Sequence, residues 1–406
     1  MKKRIVIQAD FSGLYTLVIV LLPWLGYLKS PLPIMNMGTF VLFMLAPFIV
    51  LDSYSHRNET KGIRPLIPYL LCITIQSLFY SIFAADNKGL IPMLYMWFTC
   101  VLTLHFGLRK TFDINRARVF IENFGLFLTF SVLLQHILYL ISGRALPLLP
   151  NSLLYDQESF STEISFIGSI PRFGGLFPEP VHFSQCVIVS LASALFPEKK
   201  QDPRILKAII ITVGILLTTS GMGLALGVFV WITWYVFYGK NKQNNKYTRI
   251  ILNLVVILIV IVFAFCVAIQ FNAFQAVIGR IFGTNYSYSA IQGRSWAYYM
   301  YQMLPLQERL LGVGYGFTPP IFMASIPLTL YTTGVVGLGT LAFSVLSCVR
   351  KTRGFSREIC VVFVLMLFFT GVFNQRGVAF FYSFIIAGTS IRNSKSQSTP
   401  VLRSDE

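Results

Sequence analysis

Apolar stretches of about 17 to 23 residues recur from one end of this 406-residue chain to the other, separated by polar links. About 20 residues of α-helix cross the hydrocarbon of a bilayer. Backbone groups in lipid must find partners within their own segment or in a closed barrel, so such runs are read as helices. The recurrence therefore predicts a bundle of membrane helices. Composition agrees: 55% of residues are hydrophobic, 15% aromatic and only 12% charged. The mean hydropathy of +0.67 is beyond what a soluble chain of this size carries.

The formal charge of +17 would point to nucleic acid in a soluble chain. Here the cations lie mainly between apolar runs, where the positive-inside rule reads them as topology, and no nucleic-acid partner is expected. With Lys2, Lys3 and Arg4 on the cytoplasmic side, helices are predicted at roughly 11–29, 32–51, 65–84, 89–108, 119–141, 181–197, 205–219, 222–239, 250–271, 320–349, 358–373 and 378–391. Cytoplasmic segments then hold 25 of the 33 basic residues, and the outer ones hold Lys29, Lys88, Arg144, Arg172, Arg280, Arg294, Arg309 and Arg376. The expected fold class is an all-α polytopic integral membrane protein of about 12 transmembrane helices with both termini cytoplasmic. Residues 1–406 are expected to form a single transmembrane domain with two long outer loops, 142–180 and 272–319. The N-terminal basic cluster followed by an apolar run, without a small-residue cleavage site, reads as a retained first helix.

The exceptions to the charge rule carry more information than the rule. Six of the eight outward basic residues are Arg, and five of those lie in the two long outer loops. A guanidinium presents a fixed fork that suits phosphate oxygens, whereas lysine is a point charge. A diphosphate at the outer surface is the expected ligand, with interfacial anchoring or loop ion pairs as the plainer alternative. The six cysteines fall in or at the ends of predicted helices, a placement that argues against disulfides and a CxxC metal site. His105 and Glu122 are expected within a turn or so of the cytoplasmic face, as structural residues whose polar tips reach water. His136 falls near the outer end of the fifth predicted helix, under the first long loop.

That loop ends in RFGGLFPEPVHF, residues 172–183, which sets Arg172, Glu179 and His182 among two glycines and two prolines. Gly174 and Gly175 turn the chain toward the next helix, and Pro180 suits its first turn. With Glu179 as the cap, His182 becomes its N3 residue, and both sit at a helix N-terminus, which attracts anions. Packing against Phe177 and Phe183 is expected to desolvate Glu179. Earlier in the loop, Asp156, Glu158 and Glu163 are expected to form a solvated face.

The apolar run 205–239 would overshoot the bilayer by about 20 Å as one straight helix, so TTSGMG, 218–223, is expected to turn a corner. In the second long loop Arg294, Tyr298 and Tyr301 share one face of a helix that Pro305 ends or kinks. Together with Trp296 these rings suit sugar faces or head groups, although interfacial aromatics need no ligand. GVGYG, 312–316, follows no strand and opens no βαβ unit, which argues against a dinucleotide site. The polar tail from Arg392 on is expected to be disordered.

Two outward arginine-bearing loops on a twelve-helix chain, the first ending as above and the second reading Gly-Arg-Ser-Trp, then Pro-Leu and Gly-Val-Gly-Tyr-Gly, resemble the bacterial O-antigen polymerases (Wzy type), relatives of the O-antigen ligases. The positions that carry the resemblance are Arg172, Gly175, Glu179, Pro180 and His182 in the first loop, and Arg294, Trp296, Pro305, Gly312, Gly314 and Gly316 in the second. Val181 stands where the family often has Ser, and Gly221 where an arginine is common among relatives, which weakens any phosphate-binding role for the corner at 218–223.

The resemblance implies a metal-independent, inverting glycosyltransferase without a cofactor, in the bacterial inner membrane with its active site facing the periplasm. Its substrate would be an undecaprenyl-diphosphate-linked oligosaccharide: the growing glycan leaves its lipid and joins an incoming lipid-linked repeat unit. In that reading Arg172, Arg280, Arg294, Arg309 and Arg376 bind substrate diphosphate, Glu179 or His182 is the base, and Trp296, Tyr298 and Tyr301 contact sugar. Membrane lipids and a chain-length regulator protein are the implied partners. A ligase passing the glycan to lipid A core is the alternative. A flippase or transporter usually carries ionisable groups near the bilayer midplane, where none is predicted in this chain.

Overall fold

The computed structural model of the chain describes residues 2–55, 66–83, 89–106, 111–155, 164, 166–167, 170–196, 203–236, 290–317, 323–352, 354–371 and 377–385. The predicted span 250–271, the acids Asp156, Glu158 and Glu163, and Arg280, Arg376 and the tail from Arg392 lie outside the described residues.

What is described is mostly helical. The helices are α1 (Lys2–Leu25), α2 (Met37–Ser55), α3 (Ile67–Phe83), α4 (Leu90–Cys100), α5 (Ile114–Ser142), α6 (Pro180–Leu195), α7 (Ile205–Leu217), α8 (Gly221–Trp234), α9 (Ala290–Gln302), α10 (Leu306–Leu311), α11 (Ser325–Lys351) and α12 (Phe355–Phe369). Residues 377–385 are also helical, and a π-helical stretch, Val101–Phe106, continues α4. A two-stranded antiparallel hairpin, β1 (Phe166–Ile167) with β2 (Ile170–Pro171), precedes α6. Among the described residues, three helices are long and apolar enough to cross a membrane: Met37–Tyr54, Ile114–Ser142 and Ser325–Arg350. Six further apolar helices among the described residues are shorter, at 10–17 residues.

Helix α3 shows why this is a membrane-embedded protein. Its exposed face carries Leu71, Ile75, Leu78, Phe79, Ile82 and Phe83. Its buried face carries Gln76 and Ser77 among Tyr69, Leu70 and Ile73. The helical period is that of an amphipathic helix, but the polarity is inverted, with hydrocarbon outward and polar groups inward. Water would penalise such an outer face, whereas lipid solvates it, and polar or small side chains then serve helix packing.

The described chain clusters into two compact units. The first comprises residues 1–120, 304–319 and 325–406, the second residues 121–303 and 320–324, so the boundary falls within α5. In the first unit, Asp113 caps α5, accepting from the backbone N–H groups of Asn115 at 2.9 Å and Arg116 at 3.2 Å, as an N-cap aspartate does. Thr111 ties this start to α2, its hydroxyl donating to Asp52 at 2.6 Å.

In the second unit, glycines and hydroxyl residues interlock between α5, α6, α7 and α8. A Cβ on Gly125 would collide with Ser190, one on Gly214 with Thr129, and one on Gly223 with Ser184. Close approach of backbones through small residues is the packing mode that lipid favours. The expected corner is present: α7 ends at Leu217, Thr219 takes a φ of +51°, and Ser220 caps α8 by accepting the Gly223 N–H at 3.3 Å.

Two expectations need correction here. Glu122 does not reach water; it is fully buried and paired with Arg204 and Lys207. The long cationic side chains at the start of α7 reach in to the carboxylate while staying partly exposed, which is cheaper than bringing the short glutamate out. The predicted helix at 320–349 is real but broken, because Gly334 inside α11 has φ +66° and ψ −172°.

Candidate functional site

The segment 172–183 is built as a docked turn within the second unit. β2 delivers the chain to Arg172, and the next residue, Phe173, is fully buried. Its ring meets His136 edge-on at 4.6 Å and Tyr139 at 5.8 Å, both on α5. Gly174 follows where the chain folds back on itself: the Phe177 N–H donates to its carbonyl at 3.1 Å, and a Cβ there would press against the carbonyls of Phe177 and Glu179. Gly175 has φ +66°, and a Cβ on it would run into Ser131 of α5. Both position and backbone conformation thus demand glycine.

One side chain fixes the turn to the helix beneath. Gln135 Oε1 accepts the Gly175 N–H at 2.7 Å, and its Nε2 donates to the Leu146 carbonyl at 3.1 Å. A single buried amide therefore ties both the start and the end of the first long loop to α5. His136 Nδ1 donates to the Val132 carbonyl at 3.0 Å, which fixes its ring for the contact with Phe173. Sequence reasoning placed His136 beneath this loop but missed Gln135. The available signal was a polar amide in an apolar helix, which lipid tolerates only when it has partners.

Glu179 is the N-cap of α6 and Pro180 its first residue, as expected. The Glu179 carbonyl accepts from His182 at 3.1 Å and Phe183 at 3.3 Å, while its side chain makes no capping hydrogen bond. Glu179 is exposed, so the expected desolvation against Phe177 and Phe183 does not occur. Those two rings pack on each other instead, edge to face at 6.5 Å. His182 is buried, and Arg172 is half-buried. The turn thus carries a half-buried Arg172, a solvent-facing Glu179 at the start of α6, and a buried His182 in that helix's first turn. By residue type, an arginine is an anion ligand, and a carboxylate or a neutral imidazole is a proton acceptor.

The remaining candidates are on other elements. Arg294 lies on α9, whose side chains are described from Trp296 on. On that helix Trp296, Tyr298 and Tyr299 are exposed, and the Trp296 ring lies against Tyr299 at 4.9 Å, a partner not anticipated. α9 ends at Gln302, and Pro305 caps α10 rather than kinking α9. Tyr301 is half-buried. Arg309, in the first unit, is exposed, and its Nε donates to the Leu304 carbonyl at 2.7 Å. No group of three or more His, Cys, Asp or Glu side chains is arranged to hold a metal among the described residues.

No family model matches the chain, and no curated protein matches it significantly.

Proposed function

We propose that this protein is an O-antigen-type polymerase: a twelve-helix enzyme of the bacterial inner membrane, with both termini cytoplasmic, that extends undecaprenyl-diphosphate-linked glycans at the periplasmic face. The observation that carries the reading is the docked turn, which commits Arg172 and the exposed Glu179 to one rigid segment at a helix N-terminus.

The proposed reaction asks for little else. The acceptor sugar hydroxyl of an incoming lipid-linked repeat unit attacks the anomeric carbon of the growing chain with inversion. The new glycosidic C–O bond forms as the bond to the lipid diphosphate breaks, and the bonding pair leaves on the diphosphate. The hydroxyl proton passes to Glu179, which is better placed than the buried His182 to touch substrate. Arg172 stabilises charge developing on a diphosphate oxygen, and Arg280, Arg294, Arg309 and Arg376 are proposed as further ligands of the lipid diphosphates. Diphosphate is an activated leaving group, so no acid catalyst is needed. Trp296, Tyr298 and Tyr301 are proposed to contact sugars.

Reconstitution tests this directly. Purified protein in liposomes with lipid-linked repeat units should yield a ladder of products. Transfer to added lipid A core without a ladder would reassign the protein as a ligase, and movement of substrate without new bonds as a transporter.

A further inference from the structure

The break in α11 is filled by another piece of the first unit. At Gly334 the helix unwinds, so carbonyls just before it lose their in-helix partners. The Tyr331 carbonyl instead accepts the Val313 N–H at 3.0 Å, and the Thr332 carbonyl the Gly314 N–H at 3.1 Å. The segment after α10, with positive φ at Gly312 and Gly314, thus turns two successive N–H groups onto the broken helix. The approach is as close as backbones allow: a Cβ on Gly312 would overlap the Thr332 carbonyl, and one on Gly334 the Leu310 carbonyl.

Two side chains of α3 close this junction. Gln76 Nε2 donates both to the Thr332 carbonyl at 2.6 Å and to the Leu311 carbonyl, and so bridges the two paired segments. Tyr80 donates to the Gly312 carbonyl at 2.6 Å. Gln76 is buried at 7% exposure, and its Oε1 has no hydrogen-bond partner among the described residues. Removing this buried donor would leave two backbone carbonyls unsatisfied, which is costly, so both bonds matter to how the two segments are held. Unwound backbone inside a membrane protein persists only where protein or a water-lined cavity satisfies it.

We propose that Gln76, assisted by Tyr80, is the positioning residue of the second outer loop: it clamps α10 into the α11 break and so fixes the direction in which Arg309 meets a lipid diphosphate. The assignment of Arg309 rests on the function proposed above. The clamp itself does not, and a test can separate the two.

The clamp is read by hydrogen exchange of the full-length protein in detergent. In Gln76→Met, which keeps the volume and loses both donors, the Val313 and Gly314 amides should exchange at least tenfold faster than in wild type, with α6 peptides unchanged. Tyr80→Phe should accelerate the same amides more weakly. Unchanged exchange at 313–314 in both variants overturns the proposal. Positioning is read by binding of undecaprenyl diphosphate. Gln76→Met should weaken it about tenfold, and adding Gln76→Met to Arg309→Ala should cost nothing more, because coupled residues are non-additive. Independent, additive losses overturn the positioning role. Failure of the wild type to bind undecaprenyl diphosphate overturns it as well, together with the functional reading, even where the exchange difference is present.

Discussion

The Gly175 N–H donates to Gln135 Oε1 at 2.7 Å across 40 positions of sequence, and this one bond seats the turn that carries Arg172 and Glu179. With the packing of Phe173 on His136 and Tyr139, it fastens the turn to α5, while the Phe177 N–H to Gly174 carbonyl bond closes the turn on itself.

Disturbing that seat should unfasten the turn before it unfolds the protein. Gly175→Ala forces a non-glycine residue to φ +66° and a Cβ against Ser131, at about 1–2 kcal/mol for the backbone and about 1–3 kcal/mol for the overlap. Ser131→Gly should restore the second part only. Gln135→Leu leaves a buried N–H without its acceptor, worth about 1–3 kcal/mol. Thermal unfolding in detergent, with hydrogen exchange of the 173–179 peptide, measures each. Wild-type protection of that peptide in both variants would show the turn to be held elsewhere.

The buried Glu122 should respond asymmetrically. Its partners are partly exposed, with side-chain exposures of 36% for Arg204 and 29% for Lys207, against 0% for the carboxylate. Removing both cations (Arg204→Met with Lys207→Met) strands a buried charge and should cost about 3–5 kcal/mol. Glu122→Gln leaves cations that can turn to water and should cost clearly less. Equal losses in chemical denaturation would contradict the ion pair as the organising contact.

On the proposed chemistry, Arg172→Lys keeps the charge and loses the fork, and Arg294→Lys does the same, so each should lose activity on the order of 10²-fold. Glu179→Gln should abolish polymerisation while retaining binding of lipid-linked substrate, because the carboxamide cannot take the proton. His182→Ala should keep a measurable ladder. An active Glu179→Gln beside an inactive, folded His182→Ala would move the base to His182 and favour a ligase-like mechanism.

The proposed topology is open to labelling in a cysteine-free background. Single cysteines at Ser161 and Ser287 should react with impermeant maleimide in intact spheroplasts, and one at Asn244 only after lysis. Reaction of Asn244 from outside would invert the orientation that the positive-inside rule assigns.

Much of the helical skeleton was legible because lipid imposes one rule on every segment: an apolar run of sufficient length becomes a helix, and ends where polarity returns. The cap at Glu179 with Pro180 in the first turn and the corner at 218–223 were equally readable, since proline, glycine and small hydroxyl residues act through local backbone geometry. What the sequence could not reveal depends on partners far away in the chain. Glu122 looked like a residue at the water's edge, and only the approach of Arg204 and Lys207 made its burial tolerable. Glu179 looked buried because Phe177 and Phe183 flank it in sequence, but the rings prefer each other and leave the carboxylate in solvent. GVGYG read as part of the second outer loop, and 320–349 as one continuous helix. That the two segments share hydrogen bonds, bridged by Gln76, follows from contacts spanning more than 230 residues between α3 and this junction. Local chemistry determined where the helices and turns are; tertiary packing decided which polar groups face water and which are spent holding the chain to itself.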